Sequence, residues 1–235
     1  MDVIDVIGMN TGKKLIDKII ALEWEMFVSV NEGADKASCQ EDYDTFRGMR
    51  EAQFSVWTQD AVTAYLGDLE QAVSEGRNLV EAKYIHMMKT TEPSKYDALV
   101  QRVKMPSAEE ETLAREVSDL LLEQTRVLFE DYPYVSGQGR PLYSAFDYAA
   151  VSVETYQLGE LLTYSRNTLS ALKKHISALE NDGVSLARLI LESSVGYYGY
   201  KSLDAAEAAS RERAEKSGIQ ISFGCCPDGE CEGVI

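Results

Sequence analysis

The chain has 235 residues, 23 basic and 39 acidic side chains, and a formal charge of −16. So acidic a chain has no positive excess to displace counterions from phosphates, which argues against nucleic-acid binding and against docking on anionic membranes. Hydrophobic residues at 45% and charged residues at 26% are the composition of a folded globular chain rather than a disordered one.

No apolar run approaches the roughly 18–20 residues of a membrane span. Met1-Asp2-Val3-Ile4-Asp5 is acidic where a signal peptide is basic. Four cysteines are too few for a disulfide scaffold. The expectation is a cytoplasmic protein.

Proline is absent from residues 1–92 and 142–226. Since an interior proline costs a helix about 3 kcal/mol, such stretches suit an all-helical fold. In the first segment Leu15, Ile16, Ile19, Ile20, Leu22, Met26, Phe27 and Val30 recur at three and four, the period of an amphipathic helix. In chain order, helices are expected at 12–31, 41–57, 59–75, 78–90, 107–131, 148–165, 167–181, 184–197 and near 202–216. Glu109, Glu110 and Glu111 after Ser107 suit a helix start, and Gly33, Gly76 and Gly183 fall where helices should stop. No sustained alternation marks a strand.

The pattern repeats. Displaced by about 101 positions, Ile16, Ile19, Ile20, Met26 and Phe27 fall on Val117, Leu120, Leu121, Val127 and Leu128. Displaced by about 107, Phe46, Met49, Phe54 and Trp57 fall on Val153, Tyr156, Leu161 and Tyr164, and Gly76 falls on Gly183. The expected fold is therefore an all-α bundle of eight to nine helices. It is built from two pseudo-repeated four-helix halves, about 12–92 and 107–200, within one domain over 1–217. Residues 218–235 are expected to form a flexible, cysteine-containing tail. A cleft is expected between the halves.

Polar residues interrupt the apolar stripes at matching places. Glu23 lies at three and four from Ile19, Ile20, Met26 and Phe27. Arg50 and Gln53 share the stripe of the second helix, and Gln157 and Glu160 are their counterparts. Gln124 is the counterpart of Glu23. Buried, such groups cost several kcal/mol unless paired or wet. Either they form a structural network, in which Arg50 bridges Glu23 or Glu160, or they line a polar cavity. In the cavity reading Glu23 and Glu160 serve as acceptors or as acid and base. Arg50 and Arg140 clamp an anion, Gln53 and Gln157 orient the ligand, and Tyr156 and Tyr164 donate hydrogen bonds to it. A plain turn with a solvated arginine is the competing reading of Gly137-Gln138-Gly139-Arg140-Pro141.

A bundle di-iron or di-manganese site needs Glu-x-x-His on two helices. Only His86 and His175 exist, and three residues before them stand Lys83 and Leu172. No set of acids has a spacing that demands magnesium, and no Gly-x-x-x-x-Gly-Lys phosphate loop is present. Cys39, in the loop before the second helix, reads as a buried thiol or as one activated by a helix N-terminus. Cys225, Cys226 and Cys231 in the tail are candidate thiol ligands for Zn²⁺ or Cu⁺, a labile disulfide, or sites that another protein modifies. No residue pattern names a cofactor.

Taken together, the segments Leu22-Glu23-Trp24-Glu25-Met26-Phe27, Ser38-Cys39-Gln40, Gly76-Arg77-Asn78-Leu79, Gly139-Arg140-Pro141 and Tyr198-Gly199-Tyr200-Lys201 resemble the domain-of-unknown-function family 4125. The resemblance covers about residues 13–205 and excludes the cysteine tail. It implies an intracellular, anaerobe-associated protein and brings no activity with it. Three functions are consistent with the residues. The leading one is binding of a small polar ligand in the cleft. The second is an enzyme, a hydrolase, lyase or isomerase, using carboxylate acid–base chemistry there. The third is a scaffold that meets a protein partner through its tail.

Overall fold

The computed structural model describes residues 3–30, 38–137 and 139–218. Among these residues the fold is all-α. Its helices are α1 (Val3–Val28), α2 (Tyr43–Phe54), α3 (Gln59–Ser74), α4 (Leu79–Thr91), α5 (Pro93–Leu99), α6 (Ala108–Asp131), α7 (Pro133–Ser136), α8 (Val153–Leu161), α9 (Arg166–Asn181), α10 (Leu186–Tyr197) and α11 (Leu203–Ser217). Short 3₁₀ turns lie at Ser38–Glu41, Val100–Arg102 and Ser144–Phe146.

The expected eight to nine helices are thus corrected to eleven among the described residues. Both additions, α5 and α7, open on a proline in the first turn. There the missing N–H costs nothing and the fixed φ favours helix, so a residue read as punctuation begins an element instead. The sixth expected helix is shorter than 148–165. The Asp147 carboxylate accepts from the Ser152 N–H at 2.8 Å and from the Thr155 hydroxyl at 2.6 Å, and the Val153 N–H donates to the Pro141 carbonyl at 2.8 Å. These bonds hold the preceding segment as a loop, and α8 starts at Val153.

Local chemistry sets most helix ends. Asp42, Thr58, Asn78, Ser107, Ser152, Ser165, Ser185 and Ser202 each accept a first-turn N–H at the start of a helix. Each such cap is worth about 1 kcal/mol. At Ser107 the cap is reciprocal, because the Glu110 carboxylate accepts the Ser107 N–H at 2.8 Å. Gly76 and Gly183 sit at φ +66° and +70°, where a side chain is strained. There they let the Arg77 and Val184 N–H groups bond back to Ala72 and Leu179, closing α3 and α9.

The core lies where α1, α3, α6 and α9 meet. Ile19, Leu69, Val117, Leu169, Leu172 and Ile176 are fully buried there. Each is worth about 1.5–3 kcal/mol relative to exposure. Helix α1 packs on α2, α3 and α4, and α6 packs on α8, α9 and α10. Across them α3 meets α9, α4 meets α8 and α2 meets α10. A smaller cluster, Val195, Leu203 and Ala206 against Tyr132 and Val135, ties α11 to α7 and α10.

The α4–α8 crossing positions the site. At Gly159 an added Cβ would lie 2.7 Å from Met87 Cγ and 3.1 Å from the Lys83 carbonyl oxygen. Only a glycine permits so close an approach without displacement, and the next residue of α8 is Glu160.

Candidate functional site

Arg50 is the hub of a buried charge network. Its Nε donates to Glu23 Oε2 at 2.7 Å, and its Nη2 donates to Glu23 Oε1 and, at 3.0 Å, to Glu160 Oε1. Its Nη1 donates to Gln53 Oε1 at 2.9 Å and to Glu160 Oε2 at 3.4 Å. All five guanidinium N–H groups therefore have protein partners. Lys83 Nζ donates to Glu160 Oε2 at 2.5 Å, and Gln53 Nε2 donates to Glu160 Oε1 at 3.3 Å. The Tyr65 hydroxyl donates to Glu23 at 2.6 Å, and the Tyr164 hydroxyl donates to Glu160 at 2.7 Å. Side-chain exposure is 12% for Arg50, 4% for Glu23, 11% for Glu160 and 9% for Lys83.

Two carboxylates and two cations so deep are tolerated because they compensate one another. Burial opposes the charge of Glu160, but Arg50 and Lys83 outweigh it and hold its carboxyl well below the usual carboxylate range. Burial likewise opposes the charge of Arg50, and Glu160 and Glu23 keep it protonated well beyond its ordinary value. Burial first, then Glu23 for Tyr65 and Glu160 for Tyr164, push both phenols well above their usual range. At neutral pH both tyrosines are donors, Glu160 is an anion and Arg50 is a cation.

The network floors a cavity of about 420 Å³. Its walls include Phe27, Phe46, Met49, Leu79, Val80 and Ile190. Phe27 and Phe46 stack on one another at 5.4 Å between centroids, 12° from parallel, and both belong to the apolar wall. Met49 is 56% exposed, so the stripe expected to pack as core opens on the hollow here. Tyr156 and Arg140 also line the cavity. Lys83 Nζ lies 3.4 Å and Arg140 Cζ 4.4 Å from the centre of the Tyr156 ring, as cation–π contacts. Arg140 is exposed, and its Nη1 donates to the Val151 carbonyl at 3.1 Å.

Of the residues singled out from sequence, Glu23, Arg50, Gln53 and Glu160 meet in one network, with Tyr164 bonded to Glu160 and with Tyr156 and Arg140 on the cavity wall. Gln157 points elsewhere. Its amide donates to the Ser118 carbonyl at 2.9 Å and the Ser118 hydroxyl at 3.1 Å, joining α8 to α6. Gln124 is likewise used locally, accepting from the Ser185 hydroxyl and the Ala187 N–H and donating to Glu180. Cys39 falls in the 3₁₀ turn before α2. Cys225, Cys226 and Cys231 lie outside the described residues.

Lys83 and Tyr65 are site residues that sequence reasoning passed over. Leu79, Val80, His86 and Met87 flank Lys83 at helical spacing, so its register was inward. Tyr65 sits on the buried stripe of α3 with Val62, Leu66 and Leu69, where the ring reads as core and the hydroxyl is easily overlooked.

Among the described residues no group of three or more His, Cys, Asp or Glu side chains could hold a metal ion. His175 Nε2 donates to the Val56 carbonyl at 2.9 Å in its protonated tautomer. Among the described residues no helix is long and apolar enough to cross a membrane.

Comparison with curated proteins finds no match, and comparison with solved structures finds none either. A family model described as "Protein of unknown function (DUF4125)" matches residues 13–208, a span that holds every residue of the Arg50 network and the cavity wall. The chain belongs to this family.

Proposed function

We propose that the protein binds a small polar ligand in the cavity floored by Glu23, Arg50, Lys83 and Glu160. The observation that carries this reading is a hollow of about 420 Å³ set directly on a closed, buried network of four charges. Ligand sites typically span about 300–1,000 Å³, with apolar walls and a few fixed polar groups. Packed hydrocarbon would serve stability as well as such a network, so a wet, shaped floor is its natural use.

Helix pairing supports a bipartite architecture around this site. Exchanging α1, α2, α3 and α4 with α6, α8, α9 and α10 turns the α1 contacts into the α6 contacts, exchanges α4–α8 with α10–α2, and leaves α3–α9 in place. The Arg50–Glu160 contact crosses between the sets, which supports a binding site at their junction.

Acid–base catalysis draws less support from the same geometry. A carboxylate held ionised by Arg50 and Lys83 is a weak base. Glu23 already accepts from Arg50 Nε, Arg50 Nη2 and the Tyr65 hydroxyl. Glu23 and Glu160 hold shape and charge, and leave direct recognition to their neighbours.

Thermal stabilisation across a metabolite panel tests the reading, with Glu160→Gln and Glu23→Gln in parallel. A ligand at a hundred times its Kd adds about 2.7 kcal/mol of stability to the wild type. The expected result is at least one compound that raises the wild-type midpoint and loses that effect in the variants. A panel that leaves the wild type unmoved speaks against a binding cavity.

A further inference from the structure

Resting on the ligand reading above, we propose that the ligand is a small monoanion: a carboxylate carried on an apolar body, its charged end held by Arg140 and Lys83. Spare hydrogen-bonding capacity in the cavity is unevenly divided between acceptors and donors. On the acceptor side little is left. Glu160 receives Arg50 through both terminal nitrogens, as well as Gln53, Lys83 and Tyr164. The Gln53 carbonyl receives Arg50. A cationic or donor-rich ligand would find these acceptors already engaged.

Donors remain. Lys83 has three N–H groups, of which Glu160 takes one and the Tyr156 ring faces the ammonium. Arg140 has five, and its described partners are the Val151 carbonyl and the same ring. Among the described residues no carboxylate lies within ion-pair reach of Arg140. Both cations line the cavity.

Charge selects the valence. The lining holds Glu23, Asp42 and Glu160 against Arg50, Lys83 and Arg140. Glu23 and Glu160 are spent on Arg50 and Lys83. Asp42 caps α2 by accepting the Thr45 N–H at 3.0 Å, beside the positive end of the helix dipole. Arg140 is the one cation here without a carboxylate among the described residues. One negative charge balances it, whereas two would press on Glu160 without compensation. Phe27, Phe46, Val80 and Ile190 supply the apolar wall against which the rest of the ligand is buried.

Isothermal titration with matched probes tests this: indole-3-acetate, indole-3-acetamide and tryptamine share one ring and differ in charge. 3-Phenylpropanoate and decanoate, each with its amide and amine, vary the body. A charge-assisted contact contributes about 1.5–3 kcal/mol, so the best carboxylate should bind roughly ten- to a hundredfold more tightly than its amide. The amine should bind more weakly still. Arg140→Gln, at an exposed position, should leave unliganded melting unchanged and bring the carboxylate-to-amide ratio close to one. An amide or amine that binds as well as its carboxylate, or a ratio untouched by Arg140→Gln, overturns the anion assignment and leaves the cavity reading standing. Failure of every probe, whatever its charge, overturns the anion assignment, and the cavity reading falls with it when the metabolite panel also leaves the wild-type midpoint unmoved.

Discussion

Arg50→Met removes every guanidinium bond in the buried network while keeping an unbranched apolar stem. Glu23 is then left with the Tyr65 hydroxyl, while Glu160 keeps Lys83, Gln53 and Tyr164. Breaking a buried ion pair from one side costs about 3–5 kcal/mol, because the other charge stays buried and unpaired. The penalty should fall mainly on Glu23, whose side chain is 4% exposed. That is a large part of the about 5–15 kcal/mol typical of a native chain. At about 2–4 °C per kcal/mol for a chain of this size, the midpoint should drop by about 6–20 °C. Urea unfolding followed by far-ultraviolet circular dichroism at pH 7 measures the loss. Adding Glu23→Gln to Arg50→Met should recover at least about 1 kcal/mol, since an amide in that place is neutral. A loss below about 1 kcal/mol, or strict additivity of the two substitutions, would refute a closed, desolvated network.

Three further expectations follow from the same contacts. The Glu160 carboxyl is held well below its ordinary value of 4.5, so its stabilising contribution is full above that pH and is lost as acid brings the pH down toward the folded-state value. Urea midpoints from pH 7 to 3 should therefore fall less steeply for Glu160→Gln than for wild type, and equal slopes would contradict the assignment. Gly159→Ala places a Cβ 3.1 Å from the Lys83 carbonyl oxygen and 2.7 Å from Met87, so it should cost about 1–3 kcal/mol and weaken ligand binding together. Stability within error of wild type would mean that the α4–α8 crossing is loose. Gly48→Ala puts a Cβ 2.2 Å from the Tyr197 ring, whose hydroxyl donates to the Asp44 carbonyl at 2.7 Å. Its cost should largely vanish in a Tyr197→Ala background, and additive costs would show that the two residues do not meet.

Much of the site was legible because charge inside an apolar stripe is expensive and therefore conspicuous. Glu23 stands between Ile19, Ile20, Met26 and Phe27, and Arg50 between Phe46 and Phe54, so their inward register followed from spacing alone. Gln157 shares that logic but not the outcome. Helix α8 is wedged between α4 and α6, and a step of three residues turns Glu160 toward one and Gln157 toward the other. One sequence carries no record of which neighbour each face meets. Lys83 was hidden for a different reason: lysine usually reaches water along its own stem, so an inward lysine arouses less suspicion than an inward glutamate. The short helices at Pro93 and Pro133 were hidden because proline both ends and begins helices.

The most direct test of the central claim is a crystal structure of the protein purified from its own cells. The account predicts Glu23 and Glu160 joined through Arg50 beneath an open hollow, with density for a small molecule whose polar end lies between Lys83 and Arg140. A hollow closed by Phe27, Phe46 and Met49 packed onto Lys83, with Glu160 turned away from Arg50, would contradict it.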